Sequence, residues 1–187
     1  MKNTSCLRST LIPVMFLLAT FVSFSAKLSP GITTYKIKAA LDSEAKTVTG
    51  EMTLTWKNPS DKPVSTLQFH LYLNAFKNSE STFVKESGGQ LRGVKIDGDE
   101  LKSWGSIDIL KMENEQGVDL TENMRFIHPD DDNINDRTVI EVTLGEPVPP
   151  GETIALNIEF VSKLPRIFAR TGFSNNYFLV AQWFPKL

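Results

Sequence analysis

The chain has 187 residues, a formal net charge of −2 and a single Cys. A mildly acidic chain without a basic stripe argues against a nucleic-acid partner. The only Cys, Cys6, lies near the N-terminus, which argues against a disulfide framework and a thiolate metal site and leaves the hydrophobic core to stabilise the fold.

The first 25 residues have the layout of a secretory signal peptide. Two basic residues precede an apolar run over residues 11–24, and small residues follow it. Cleavage after Ser25 places small residues at both recognition positions, so residues 26–187 are predicted to form one exported domain, periplasmic or secreted. Because the apolar run is shorter than the roughly 20 residues that span a bilayer, a retained membrane anchor is the less favoured alternative.

The first half of the exported domain carries strand patterns. Apolar and polar side chains alternate over residues 32–41, 47–58 and 64–73, as in strands with one buried face. The buried faces are predicted to carry Val48, Met52, Leu54, Trp56, Leu67, Phe69, Leu71 and Leu73. A turn over residues 42–46 joins the first two strands, and the turn residues at 58–63 predict that the second and third form an antiparallel hairpin.

The second half contains further strands between turns and loops. Residues 74–89 show little periodicity and predict a long surface loop that can contain one helical turn. Asp97-Gly98 predicts a hairpin turn, and residues 145–152, with three Pro, predict a loop. Further strands are predicted over residues 106–112, 124–127, 138–144, 153–161 and 177–183. Many short strands separated by turns predict an all-β fold, an antiparallel sandwich or saddle.

Candidate chemistry within the chain is sparse. His70 and His128 are the only two His, and neither belongs to an H-E-x-x-H motif. Residues 130–136 form the densest run of oxygen ligands, and calcium takes six to eight oxygens. The Gly and Glu that an EF-hand requires are missing from their positions, so a solvated turn is favoured over an irregular calcium site. No G-x-S-x-G, G-x-G-x-x-G or P-loop motif is present, so no recognisable catalytic machinery is encoded here.

Several short motifs follow one another along residues 35–186. They are YKIK at 35–38, TVTGE at 47–51, WKN at 56–58, LQFHLYLNAF at 67–76, DRTV at 136–139 and YFLVAQWFPK at 177–186. In order and spacing they resemble the N-terminal β-domain of the aminopeptidase N-like zinc metallopeptidases, the gluzincin group, and in particular its secreted bacterial members. The resemblance covers nearly all of the exported domain.

The resemblance implies a non-catalytic domain that packs on a separate catalytic domain and helps to wall its substrate cleft. In that family zinc is held by H-E-x-x-H and a downstream Glu of the catalytic domain. Those residues are absent from this sequence, so no cofactor is expected in this chain and zinc is expected in the full-length enzyme. Because the family's β-domain continues for more strands, the sequence is expected to be the front part of a longer protein that ends beyond Leu187.

The resemblance also implies one substrate-binding residue, Gln182. In the family a Gln at this place reaches the cleft near the amino terminus of the peptide substrate, where a carboxamide can accept from an ammonium group. The family usually follows this Gln with an acidic residue, whereas Trp183 and Phe184 follow it here. The alternative interpretation of Gln182 is a strand residue that is bonded to its neighbours.

A second hypothesis belongs to another functional class. The domain would be a stand-alone exported β-sandwich that binds a protein or a glycan. Trp104, Tyr177 and Trp183 would then form an exposed aromatic platform. The alternative role for these three side chains is packing in the core or at a domain interface.

Overall fold

The computed structural model describes residues 31–91, 94–95, 104–166 and 169–187. The predicted signal peptide and the predicted Asp97-Gly98 turn lie outside the described residues. The strands are β1 (Thr33–Asp42), β2 (Thr47–Lys57), β3 (Val64–His70), β4 (Gln90–Leu91), β5 (Val94–Lys95), β6 (Ser106–Asn114), β7 (Met124–Ile127), β8 (Val139–Val148), β9 (Thr153–Lys163), β10 (Gly172–Ser174) and β11 (Tyr177–Leu179). The helical segments are short: 3₁₀ helices Tyr72–Phe76 and Thr121–Asn123, and helix α1 (Thr82–Glu86).

The larger sheet has four antiparallel strands in the order β1-β2-β9-β6. Its central pair runs in unbroken register from Thr47 opposite Lys163 to Lys57 opposite Thr153. The predicted turn over residues 42–46 is confirmed, because it joins β1 and β2 as an antiparallel pair. The alternation of β2 is confirmed as well: Val48, Met52, Leu54 and Trp56 are buried.

The smaller sheet has three antiparallel strands in the order β3-β8-β7. Its inward side chains are buried in the same hydrophobic cluster as those of the larger sheet, and they include Leu67, Phe69, Ile140, Val142 and Leu144. Two small hairpins, β4–β5 and β10–β11, complete the strands. The predicted all-β, antiparallel fold class is therefore confirmed.

The predicted hairpin between the second and third strands is wrong. β2 pairs with β1 and β9, whereas β3 pairs with β8, so residues 58–63 carry the chain from one sheet to the other. Buried Asn58 fixes this crossing: its Nδ2 donates to the carbonyls of Lys62 (2.8 Å) and Val148 (2.9 Å), and its Oδ1 accepts from the Ser60 backbone N–H (3.0 Å). Local alternation gives each strand its buried face but does not select its partner.

The predicted surface loop over residues 74–89 is partly buried, which the prediction did not include, whereas its helical turn is confirmed. The first part is a 3₁₀ helix whose Leu73, Asn74, Ala75 and Phe76 are buried, and α1 follows with Val84 buried. Asn74 joins the two sheets, because its Nδ2 donates to the Arg137 carbonyl at 2.7 Å and its Oδ1 accepts from the Ile107 N–H at 2.9 Å. A polar side chain at a buried junction leaves no periodic signal in the sequence.

Three predicted boundaries need correction. The predicted strand over residues 64–73 ends at His70, because the chain enters the 3₁₀ helix at Tyr72. The predicted loop over residues 145–152 begins as strand, since β8 continues to Val148, which pairs with Val64. The register shifts just before this pair, so the four residues 144–147 lie opposite the single residue Ser65. Pro147 is one of these unpaired residues, so its missing N–H breaks no hydrogen bond between the strands. The predicted strand over residues 177–183 ends at Leu179, where its partner β10 begins with Gly172, and Gln182, with a φ of 54°, is not extended. Over the described residues, no helix is long and apolar enough to cross a membrane.

Candidate functional site

The last residues, 180–187, form an irregular C-terminal segment that links the edge strands of the two sheets. Hydrogen bonds connect it to three strands. In β9, Ser162 Oγ donates to the Trp183 carbonyl, and in β3, His70 and Lys186 exchange backbone N–H···O bonds of 2.7 and 3.1 Å. In β1, the Tyr35 hydroxyl accepts from the Leu187 N–H at 3.0 Å. Its backbone is therefore held in place although it belongs to no sheet. The predicted substrate-binding residue lies within this segment.

Gln182 is exposed on this segment in an unusual conformation. Its φ of 54° lies in the left-handed region, which costs a side chain other than Gly or Asn on the order of 1 kcal/mol. The flanking residues are fixed, since the Ala181 N–H donates to the buried Thr171 hydroxyl at 3.3 Å and the Trp183 carbonyl accepts from Ser162. The structure thus presents the carboxamide of Gln182 to solvent from a constrained backbone.

The side-chain oxygen of Gln182, Oε1, already accepts a hydrogen bond from an ammonium group. Lys186 Nζ donates to Gln182 Oε1, and the same ammonium lies 5.3 Å from the centroid of the Phe184 ring. Among the described residues, Gln182 Nε2 has no hydrogen-bond partner. The side chain is not bonded within a strand, and its unused groups are the two amide N–H donors.

The three predicted platform aromatics have different environments. Trp183 packs against Phe160 of the core, with ring centroids 5.9 Å apart, and against Phe184 at 5.4 Å. Tyr177 is 60% exposed on β11, and Trp104 is half-buried two residues before the start of β6. Trp183 therefore serves core packing, and Tyr177 is the platform candidate with the most exposed ring.

The Asp-rich stretch 130–136 anchors the start of α1. Thr82 Oγ1 donates to Asp131 Oδ2 at 2.7 Å, the Thr82 N–H donates to Asp136 Oδ2 at 3.1 Å, and Asn133 Nδ2 donates to the Glu80 carbonyl at 2.8 Å. Burial raises the pKa of Asp136, but the hydrogen bonds from Thr138 and Thr82 together outweigh it and lower the pKa below 3.8. Several of these oxygens are thus engaged by the protein itself.

The two His occupy separate places. His70 stacks edge-on against Tyr72 at 5.8 Å, and desolvation lowers its pKa despite the opposing carboxylates of Asp136 and Asp130. His128 Nδ1 is buried without a hydrogen-bond partner among the described residues. Within the described part of the chain, no group of three or more His, Cys, Asp or Glu side chains could hold a metal ion.

The outer face of the larger sheet carries a row of charged side chains that the sequence does not predict. The register places Lys38, Glu51, Glu159 and Lys111 side by side across β1, β2, β9 and β6. Lys38, Glu51 and Glu159 line two adjoining open grooves of about 370 and 400 Å³. The outward parity of each residue is readable from the sequence, but the row depends on pairings that the sequence pattern does not give.

No protein-family model matches the chain, and no match was found among the curated proteins.

Proposed function

We propose that this chain is the non-catalytic N-terminal β-domain of a secreted zinc aminopeptidase-like metallopeptidase. The domain would pack on the enzyme's catalytic domain and wall its substrate cleft. The observation that best supports this is the exposed carboxamide of Gln182, presented in a left-handed conformation from a segment that is tied to both sheets. The antiparallel all-β architecture agrees with the saddle domain that the resemblance implies.

Within the described residues, no group of side chains could hold a zinc ion. His70 ends β3, His128 follows β7, and the H-E-x-x-H motif is missing from the sequence. Zinc would belong to the catalytic domain, where it would supply the Lewis acid and the activated water. The part proposed for this chain is to shape the cleft and to position the peptide through Gln182.

The test compares this chain with the product of the complete gene. We expect the complete product to bind zinc and to hydrolyse trialanine with bestatin sensitivity, and the purified chain to do neither. In the complete product, Gln182→Ala should lower kcat/KM about tenfold, the loss of one hydrogen bond to a charged group. Gln116→Ala, in an exposed turn, is the matched control and should leave kcat/KM unchanged. Unchanged kinetics for Gln182→Ala would remove Gln182 from the proposed site.

A second candidate function is that of an exported module that binds a protein or a glycan. The observation that favours it is the exposure of Tyr177, a residue that is 60% exposed on the β10–β11 hairpin. Leu179, two residues further along the same strand, is exposed as well. An exposed aromatic ring stacks on the apolar face of a sugar. Affinity electrophoresis of the chain through gels that contain soluble polysaccharides tests this: retardation that Tyr177→Ala abolishes would support it, and unaltered mobility in every gel would reject it.

A further inference from the structure

Each sheet has a second edge strand, β6 in the larger sheet and β7 in the smaller, besides the edges that the C-terminal segment links. An open groove of about 260 Å³ is lined by residues of both strands. Its apolar side chains come from the core and from the edges, and they are Leu71, Ile107, Ile109, Met124, Phe126 and Ile140. The hydrophobic core can therefore be reached from this side of the sandwich.

Phe126 shows that the inward face of β7 is not fully covered. It lies directly opposite Ile140 of β8, and opposite residues of paired strands have their side chains on the same face. Ile140 is 3% exposed, whereas Phe126 is 38% exposed. An inward-facing aromatic side chain at an open edge thus leaves apolar surface that a partner can cover.

The backbone of Phe126 is open to a partner as well. Opposite residues of antiparallel strands alternate between pairs that exchange hydrogen bonds and pairs that do not. The Leu71 N–H donates to the Thr138 carbonyl, so Ile140, two residues further along, turns its own N–H and C=O toward β3. Phe126, on the other side of Ile140, therefore turns its N–H and C=O to the free edge of β7.

Arg137 adds a positive charge at this groove. The central carbon of its guanidinium lies 4.8 Å from the centroid of the Phe126 ring. The charged side chains that line the groove, Asp108 and Arg125, each form an ion pair with a neighbouring side chain, at 3.1 and 2.5 Å. Among the described residues, no carboxylate forms an ion pair with Arg137. The charge of Arg137 is therefore free to attract an acidic group of a ligand.

These features identify the class of ligand. Pockets for drug-sized molecules measure roughly 300–1,000 Å³, so this smaller groove suits one large apolar side chain. An open strand edge accepts an extended peptide through main-chain hydrogen bonds, and pockets for its side chains give specificity. A guanidinium without a carboxylate partner favours an acidic residue on that peptide, because hydrogen bonds between ionised groups are the stronger kind.

We propose that the groove between β6 and β7 binds an extended segment of a protein partner. The segment adds to the free edge of β7 at Phe126, inserts one apolar side chain into the groove and presents a carboxylate to Arg137. This inference does not rest on the proposed function, since the groove shares no residue with the C-terminal segment that carries Gln182.

The test uses NMR spectra of the ¹⁵N-labelled 187-residue chain and follows the backbone amide of Phe126. The probe is the peptide acetyl-Thr-Leu-Thr-Asp-Thr-amide, and two matched peptides replace its Asp by Asn or its Leu by Ser. We expect the first peptide to shift the Phe126 amide and each replacement to weaken binding about tenfold, the worth of one charge-assisted hydrogen bond or of one buried Leu side chain.

Two protein variants test the role of the charge. Arg137→Gln should weaken binding of the Asp peptide about tenfold and leave binding of the Asn peptide unchanged. Arg170→Gln, which removes the same charge at an exposed residue before β10, is the control and should alter neither.

Three results would overturn the inference. The first is that no peptide shifts the Phe126 amide. The second is that Arg170→Gln weakens binding as much as Arg137→Gln, which would reduce the effect to overall charge. The third is that decanoate shifts this amide while the Leu- and Asp-containing peptide does not, which would make the groove a site for a small amphiphile. Loss of peptidase activity in the complete gene product would count against the proposed function alone.

Discussion

Gly50 has no space for a side chain in the core. It lies on the buried face of β2 opposite Phe160, and a Cβ at this position would lie 2.3 Å from the Cζ atom of that ring. The ring has little room to move, because it is buried and Trp183 packs on it. The close approach of ring and backbone therefore requires glycine here, although the alternation of β2 alone would accept any apolar residue.

Gly50→Ala should lower the free energy of unfolding by about 1–3 kcal/mol, the usual cost of overpacking a core. Gly145→Ala is the control, since nothing lies within 4 Å of its added Cβ, and it should change stability by less than about 0.5 kcal/mol. Urea unfolding of both variants measures the difference. A second replacement, Phe160→Leu, should cost less in the Gly50→Ala background than alone. Equal effects of the two Gly variants would contradict the account.

Asp136 should make the fold sensitive to acid. Its pKa in the folded protein lies below that of an ordinary Asp carboxyl. The carboxylate therefore contributes stability that is present above the unfolded pKa and is lost as the pH falls through the folded pKa. Wild-type stability should therefore decline more steeply than that of Asp136→Asn between pH 5 and pH 2. Urea unfolding across this range measures both curves, with Asp61→Asn as the exposed control. Parallel curves for the wild type and Asp136→Asn would show that these hydrogen bonds contribute nothing.

At the scale of elements, the 3₁₀ helix Tyr72–Phe76 joins the two sheets through Asn74. The amide of this buried side chain satisfies the Ile107 N–H at the start of β6 and the Arg137 carbonyl just before β8. The Ile107 N–H would otherwise be buried without a partner, which costs about 1–3 kcal/mol. The helix therefore fixes the sheets relative to each other by polar contacts as well as by its apolar side chains.

Asn74→Ala should destabilise the domain by about 1–3 kcal/mol, because it leaves the buried Ile107 N–H without a partner. Asn135→Ala, in the exposed turn, is the matched control and should change stability by less than about 0.5 kcal/mol. Hydrogen exchange gives a local readout, since the Ile107 amide should exchange faster in Asn74→Ala. Stability and exchange rates like those of the wild type would mean that Asn74 does not join the sheets.

The sequence pattern predicts which face of a strand is buried better than it predicts which strands pair. The alternation in β1, β2, β3 and β9 identified the strands and the buried side of β2, because burial of one face imposes a period of two. It wrongly joined β2 to β3, since partner choice depends on the packing of the whole sandwich. The candidate site shows the same limit: Gln182 was identified by resemblance, but its left-handed φ and its contact with Lys186 depend on how distant strands hold residues 180–187.

At the scale of the whole molecule, the C-terminal segment completes the core beside the edge strands of the two sheets. Trp183 packs on Phe160. Phe184 packs on both Tyr35 and Trp183, and the ring centroids of these two pairs are 5.4 Å apart. The segment that carries Gln182 thus packs against the core, so the position of its backbone depends on the stability of the domain.

Trp183→Ala should therefore cost about 3 kcal/mol, near the lower end of the range for a large aromatic side chain in a core, because the ring is only half-buried. Tyr177→Ala should cost much less, since that ring is 60% exposed. Thermal and urea unfolding of the two variants make the comparison. If Tyr177→Ala were the more destabilising variant, the assignment of Trp183 to core packing would be wrong.

The central claim, that this is the β-domain of a zinc metallopeptidase, is tested most directly by sequencing the gene past codon 187. The open reading frame should continue into a helical domain with H-E-x-x-H and a downstream Glu. A stop codon directly after Leu187 would contradict it, and the chain would then be a binding module on a scaffold of this type.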